Sequence, residues 1–166
     1  MKKLFLALVF IACLIPFTSY AKNNPPTVVP QPSHVISGDT WSFTVPSADW
    51  VNIKAPNPEI RAALLNPEKH NMVLLIKEQF AGTNEQYVLA AMQSLKSTGA
   101  KFKSVKHFSR NGDDFVVIET TKDNMRAWFW VIAKGGFGYG FSCGGFDAEV
   151  WHRDLCFGMA NTLTIN

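Results

Sequence analysis

The sequence is poor in charge. Acidic and basic residues make up 17% of its 166 residues, against about a quarter in an ordinary domain. A disordered chain needs the reverse balance and is excluded. No large excess of one sign is present either. Formal net charge is +3, and two of the positive charges are Lys2 and Lys3. Without them 14 basic residues face 13 acidic ones, a net +1, so a nucleic-acid binder held by a broad basic surface is not expected.

Motifs that carry chemistry are also missing. There are three cysteines and no Cys-x-x-Cys, which excludes thioredoxin-type redox sites and four-cysteine zinc sites. No Gly-x-Ser-x-Gly elbow anchors a hydrolase triad. The run Gly135-Gly136-Phe137-Gly138-Tyr139-Gly140 lacks the spacing of a nucleotide loop. It reads as a turn, followed by bare backbone on which an aromatic ring packs. His152-Arg153-Asp154-Leu155 resembles the start of a kinase catalytic loop, but Met159 stands where that loop needs its metal-binding Asn. His34, His70, His107 and His152 are scattered, with no His-x-x-x-His pair. Asp113 and Asp114 are adjacent, and on a strand or turn they point apart. No catalytic, cofactor-binding or metal-binding residues are assigned. There are no internal repeats, and no apolar run reaches the ~20 residues of a membrane-spanning helix.

What is present begins with an export signal. Met1-Lys2-Lys3 precedes an apolar stretch from Leu4 to Phe17 and then small residues at Ser19 and Ala21. These are the three parts of a secretory signal peptide, 1–21, with cleavage after Ala21. No transmembrane segment then remains. Phe10-Ile11-Ala12-Cys13 resembles a lipoprotein box, but its first position is Phe, and Leu14 to Phe17 stay apolar where a lipoprotein turns polar. A cleaved periplasmic or secreted protein is the first expectation, and a lipoprotein anchored through Cys13 the lesser one. Export leaves Cys143 and Cys156 as an even pair in an oxidising compartment. A disulfide between them closes a loop of about 14 residues and stabilises by roughly 3 kcal/mol.

Residues 22–38, with Pro25, Pro26, Pro30 and Pro32, read as a proline-rich linker: a disordered leader, an extended spacer or a docking strip for a partner. The globular domain is expected over 39–166. Trp41 to Val45 alternates like a half-buried strand. Trp50 to Lys54 reads as a second short strand, and Glu59 to Leu65 as a short helix. Met72 to Gln79 is a strand apolar on both faces. Thr83 to Gln86 fits a capping box, and Val88, Ala91, Met92 and Leu95 follow at helical spacing up to Gly99. Lys101 to Arg110 reads as a strand that turns at Asn111-Gly112. Phe115 to Thr120, Met125 to Lys134 and Phe137 to Cys143 are further strands, the first two apolar on both faces. A closing helix is expected over 147–161, capped by Asp147. If it starts there, Cys156 lies ~13 Å along its axis, and the bridge requires either that the helix run back over its preceding strand, for which Gly144-Gly145 gives freedom, or that it start later.

Strands apolar on both sides require cover on both faces, and hairpin connections make the sheet mostly antiparallel. The expected fold is α+β, a three-layer α/β/α sandwich, with the helices at 84–98 and 147–161 and the segment near 55–66 as covers. This ordering resembles the PsbP-like family, named after an extrinsic subunit of the photosynthetic oxygen-evolving complex. The resemblance rests on Phe43-x-Val45-Pro46-x-x-x-Trp50, on Tyr139-x-Phe141-x-Cys143, on Cys156-x-x-Met159 and on Leu163-x-Ile165. The last three are similar to the final strand, bridged helix and terminal strand of exported bacterial members. The resemblance implies an α/β/α sandwich and an exported, mostly non-catalytic protein that docks on larger assemblies. It supplies no shared catalytic residues, and nothing in the chain calls for a photosystem role.

Two features are candidate interaction surfaces. Lys101, Lys103, Lys106 and Arg110, preceded by Lys96, form a basic run without an acid. They either protect an edge strand from aggregation or meet an anionic partner: a lipid headgroup, a glycan or an acidic protein face. Trp128 and Trp130 are either the core of a central strand or, where a helix layer is incomplete, the walls of an exposed groove. The functional expectation is a non-enzymatic periplasmic interaction or structural module, an accessory subunit of a cell-envelope assembly such as secretion machinery. A small-ligand or lipid binder is the alternative, and a hydrolase the third choice.

Overall fold

The computed structural model describes residues 33–46, 49–55, 57–146 and 150–166. Ten strands and two helices follow in the order β1 (His34–Ser37), β2 (Trp41–Val45), β3 (Val51–Asn52), β4 (Ile60–Asn66), β5 (Asn71–Gln79), α1 (Asn84–Ser97), β6 (Lys101–Arg110), β7 (Asp113–Lys122), β8 (Met125–Lys134), β9 (Phe137–Phe146), α2 (Val150–Ala160) and β10 (Thr164–Ile165). Seven strands form one sheet in the order β3-β4-β5-β9-β8-β7-β6, and three form a second in the order β1-β2-β10. Every pairing is antiparallel. The class is therefore α+β, with two antiparallel sheets.

Turn chemistry sets the hairpins. Asn111 and Gly112 have φ of 51° and 82°, and Gly135 and Gly136 have 60° and 80°, the left-handed pair that a two-residue hairpin turn needs. Both halves of the capping box at α1 are made: Gln86 N donates to Thr83 Oγ1, and Thr83 N donates to the Gln86 side chain.

The large sheet is apolar on both faces, as its sequence requires. One face carries Phe115, Val117, Trp128, Trp130, Ile132 and Phe141, packed against β2, β10 and α2 through Trp41, Phe43, Val45, Ile165, Cys156 and Met159. The other carries Val116, Ile118, Ala127, Phe129 and Val131 under Tyr87, Val88, Ala91 and Leu95 of α1. The first is called the α2 face below and the second the α1 face.

Three expectations change. The segment Glu59 to Leu65 is not a helix: it is β4, paired in register with β5. Its Ala and Leu residues are good helix formers, but Ala62 to Leu65 are all buried between the two faces, and sheet pairing overrides propensity. With β4 in the sheet, 55–66 is not a covering layer, and the small sheet shares the cover of the α2 face instead. Third, β1 lies inside the segment read as linker and pairs with β2 from His34↔Val45 to Ser37↔Ser42. Positions 1–32, including the signal and Cys13, and the Asp147 cap lie outside the described residues.

Cys143 and Cys156 are bonded, with their Cα atoms 5.4 Å apart. Both are buried in the core that joins β9 to α2. Asn161, Thr162 and Leu163 donate backbone hydrogen bonds into the end of α2 before β10 joins β2 at the terminal strand that the resemblance implied.

Candidate interaction edge

β6 is the outermost strand of the large sheet. Its register runs Lys101↔Thr121 and Phe102↔Thr120, shifts by a bulge, and continues from Ser104↔Glu119 to Arg110↔Asp113. Strand alternation puts Lys101, Ser104, Lys106, Phe108 and Arg110 on the α2 face. Phe102, Val105, His107 and Ser109 fall on the α1 face. Rows of side chains cross the sheet from this rim. One runs Lys106–Val117–Trp130–Phe141 and another Ser104–Glu119–Trp128–Cys143. Each row is polar or charged at β6 and apolar at the centre.

The acids nearest the rim are already engaged. Glu119 lies 3.0 Å from Arg126 and accepts from Ser104 Oγ at 3.0 Å. Asp113 lies 2.7 Å from Lys134 Nζ. Asp114 accepts from Ser109 Oγ and lies 3.6 Å from His107. Among the described residues, Lys101, Lys103, Lys106 and Arg110 form no ion pair. The three lysines are exposed and Arg110 half-buried. Their charge points outward, uncompensated, along one strand.

Trp128 and Trp130 do not belong to this surface, and their candidacy is corrected. They are 3% and 1% exposed. Trp130 stacks edge-on against Phe141 and Phe157, with centroids 5.6 and 5.1 Å away, and Trp128 against Phe157 at 6.3 Å. Phe157 of α2 closes the layer over both rings.

A second polar region was not foreseen. Lys77 extends from β5 with only 7% of its side chain exposed, its Nζ 2.8 Å from Asp39 and 4.4 Å from the Phe137 ring centroid. The hydrogen bond from Lys77 holds the Asp39 carboxyl below its usual range. Thr40 and Tyr139 hydroxyls meet at 2.9 Å, and Lys134 donates to Ile165 O at 2.7 Å. These contacts clasp the small sheet to the large one. Lysine in an apolar strand looks like a strand end in sequence. Only the register, which puts Lys77 opposite Tyr139, reveals a buried cation.

On the α1 face, Tyr87 donates to Glu78 Oε1 at 2.9 Å. Burial pushes Glu78 up, and burial with the neighbouring Glu78 charge pushes Tyr87 well up. A Cβ at Gly138 would overlap the Tyr87 ring, which is the ring-on-backbone packing expected of that glycine. The pair latches α1 to the sheet.

The described histidines are not brought together. His34 sits on β1, His70 in the β4–β5 turn and His107 on β6, far apart in the topology. Among the described residues no three His, Cys, Asp or Glu side chains could hold a metal together. A depression lined by Met72, Met125, Ala127, Ser142 and Gly144 has a volume of ≈ 10 Å³, room for about one water and not for a metabolite. No described helix is long and apolar enough to cross a membrane.

No protein-family model matches the chain, and no curated protein does at a significant level. Solved structures do. The solution structure of a cyanobacterial PsbP from Synechocystis superimposes with a TM-score of 0.63 at 13% identity, covering 87% of this chain and 96% of that one. A point mutant of the protein Mog1 gives 0.58 at 9% identity, covering 81% and 96%. At such identities the likeness is one of fold, and the fold is PsbP-like.

Proposed function

We propose that the protein is an exported, non-enzymatic interaction module that docks on an acidic face of a cell-envelope protein through the β6 edge. It would serve as an accessory subunit of a larger assembly, with secretion machinery the kind expected. The leader ends at Ala21, the proline-rich stretch before β1 is a spacer, and the domain is a three-layer α/β/α sandwich whose outer layer is extended by the small sheet. A disulfide between buried cysteines fits an oxidising compartment. The observation that carries the reading is the row of four cations on β6 without an ion pair among the described residues, beside acids that each have another partner: Glu119 with Arg126, Asp113 with Lys134 and Asp114 with His107. A cation free of internal partners keeps its field for an external one.

The test is gentle crosslinking and affinity capture from envelope extracts with the wild type and with K101Q/K103Q/K106Q/R110Q. A crosslinked species that weakens with salt and disappears in the variant is expected. Recovery of free monomer alone would count against the reading, as would capture indifferent to the four substitutions.

A further inference from the structure

Resting on that docking reading, we infer that β6 takes up its partner by strand addition: an extended acidic segment of another protein pairs with the open edge over Ser104–Arg110.

The described residues contain four sheet edges: β1, β10, β3 and β6. β10 and β3 have two residues each and β1 four, whereas β6 has ten. Short edges offer a partner few backbone groups. β6 alone presents a full strand's worth. The bulge between Phe102 and Ser104 leaves the register regular from Ser104 to Arg110, close to an ordinary strand length.

The side chains of that stretch define the occupant. A strand laid alongside brings its residues to about 4.5–5.5 Å from those opposite. Acids opposite Lys106 and Arg110, four apart, would pair with free cations on the α2 face. An apolar residue midway would meet half-buried Phe108. On the α1 face, another apolar residue would cover Val105, which is 45% exposed. A second copy of this chain does not fit, because β6 against β6 brings together two strands that both carry positive charge without ion pairs and no acid. A flat anionic membrane does not fit either. Val105 and Phe108 point to opposite faces of the sheet, so a plane that touches one leaves the other bare, whereas an added strand reaches both.

The experiment titrates the isotope-labelled chain from Lys22 onward with a nine-residue peptide that carries two glutamates four apart with a valine midway between them on one face, and threonine and valine on the other. Two further peptides carry N-methyl groups on every second backbone amide, one in each register. Strand addition predicts amide shifts and new exchange protection confined to β6, and loss of binding by about tenfold or more, some 1.4 kcal/mol, with one N-methyl register but not the other. K106E/R110E, checked for an unchanged melting curve, should lose a similar factor and regain it with a lysine-for-glutamate peptide. Equal binding of all three acidic peptides overturns strand addition while leaving charge-driven docking intact. So does binding to phosphatidylglycerol vesicles without binding to any peptide, which would make the occupant a lipid surface. Binding to neither overturns the strand inference and the docking reading together.

Discussion

The row Lys106–Val117–Trp130–Phe141 has two unlike ends. At its centre Trp130 sits between Phe141 and Phe157 with almost no exposure. At its rim Lys106 is exposed and unpaired. The same contrast separates lysines. Lys77 and Lys134, on inner strands, each have a carboxylate within 2.8 Å. The lysines of β6 have none. Position in the sheet shapes what these lysines do: burial forces a cation to be paired, and the rim leaves its charge free for another molecule.

The sharpest way to test that contrast is to truncate the two ends of the row. Trp130→Ala should cost about 3–5 kcal/mol in urea denaturation, as for large aromatics removed from a close-packed core. Lys106→Ala should stay within about 0.5 kcal/mol of wild type. A Trp130→Ala cost below about 1 kcal/mol would mean that the centre is not packed as described. The bridge between β9 and α2 comes next. Replacing Cys143 and Cys156 by alanine should cost about 2–5 kcal/mol, and the wild-type chain from Lys22 onward, which lacks Cys13, should resist thiol labelling until reduced.

The paired lysine gives a pH-dependent test. Asp39→Asn removes the charge that faces the Lys77 ammonium and leaves it an uncharged amide oxygen and the Phe137 ring. Removing one partner of a buried charge is costly, whereas an apolar replacement of the cation is often tolerated. Lys77→Met should therefore be the milder change. The Asp39 carboxyl is lowered in the folded protein, so the unfolded chain takes up its proton first. Its contribution is complete above the usual carboxylate range near pH 4 and is lost as pH falls through the lowered value. Glu78, raised by burial, acts in the opposite sense and favours the folded state as it protonates. The stability difference between wild type and Asp39→Asn isolates the first effect and should shrink between pH 6 and pH 3. A constant difference would show that the pair does not titrate with folding.

Much of this was legible before the fold was seen, and the physical reason differs by element. The two-faced strands and the capping box at Thr83 are local signals, since each pattern needs only its own residues. The disulfide followed from cysteine parity. β4 was misread because burial on both faces erases alternation, leaving a short Ala/Leu run that helix propensity describes equally well. The three-stranded sheet depends on pairing between β2 and β10, which are far apart in sequence. No local pattern encodes that pairing, and only the family resemblance hinted at its last strand. The basic run was visible as composition. Its status as an edge required the strand order, and its lack of ion pairs required the side-chain contacts, which give Glu119, Asp113 and Asp114 other partners. The tryptophans were ambiguous until Phe157 was placed above them.

The smallest expected change in stability is at the rim itself, and it separates two roles for the same lysines. Lysines on an edge strand hinder sheet-to-sheet aggregation whatever else they do. Neutralising all four cations to glutamine should change folding stability by no more than a few tenths of a kcal/mol per site. It should also remove the repulsion that keeps two β6 edges apart. Reversing them to glutamate keeps that repulsion. If protection were their whole role, the glutamine variant would aggregate in light scattering, the glutamate variant would not, and partner capture would survive in the glutamate variant. If the cations also hold an acidic partner, both variants lose capture while only the glutamine variant scatters. The two readings thus diverge on the glutamate variant, whose edge is charged but of the wrong sign.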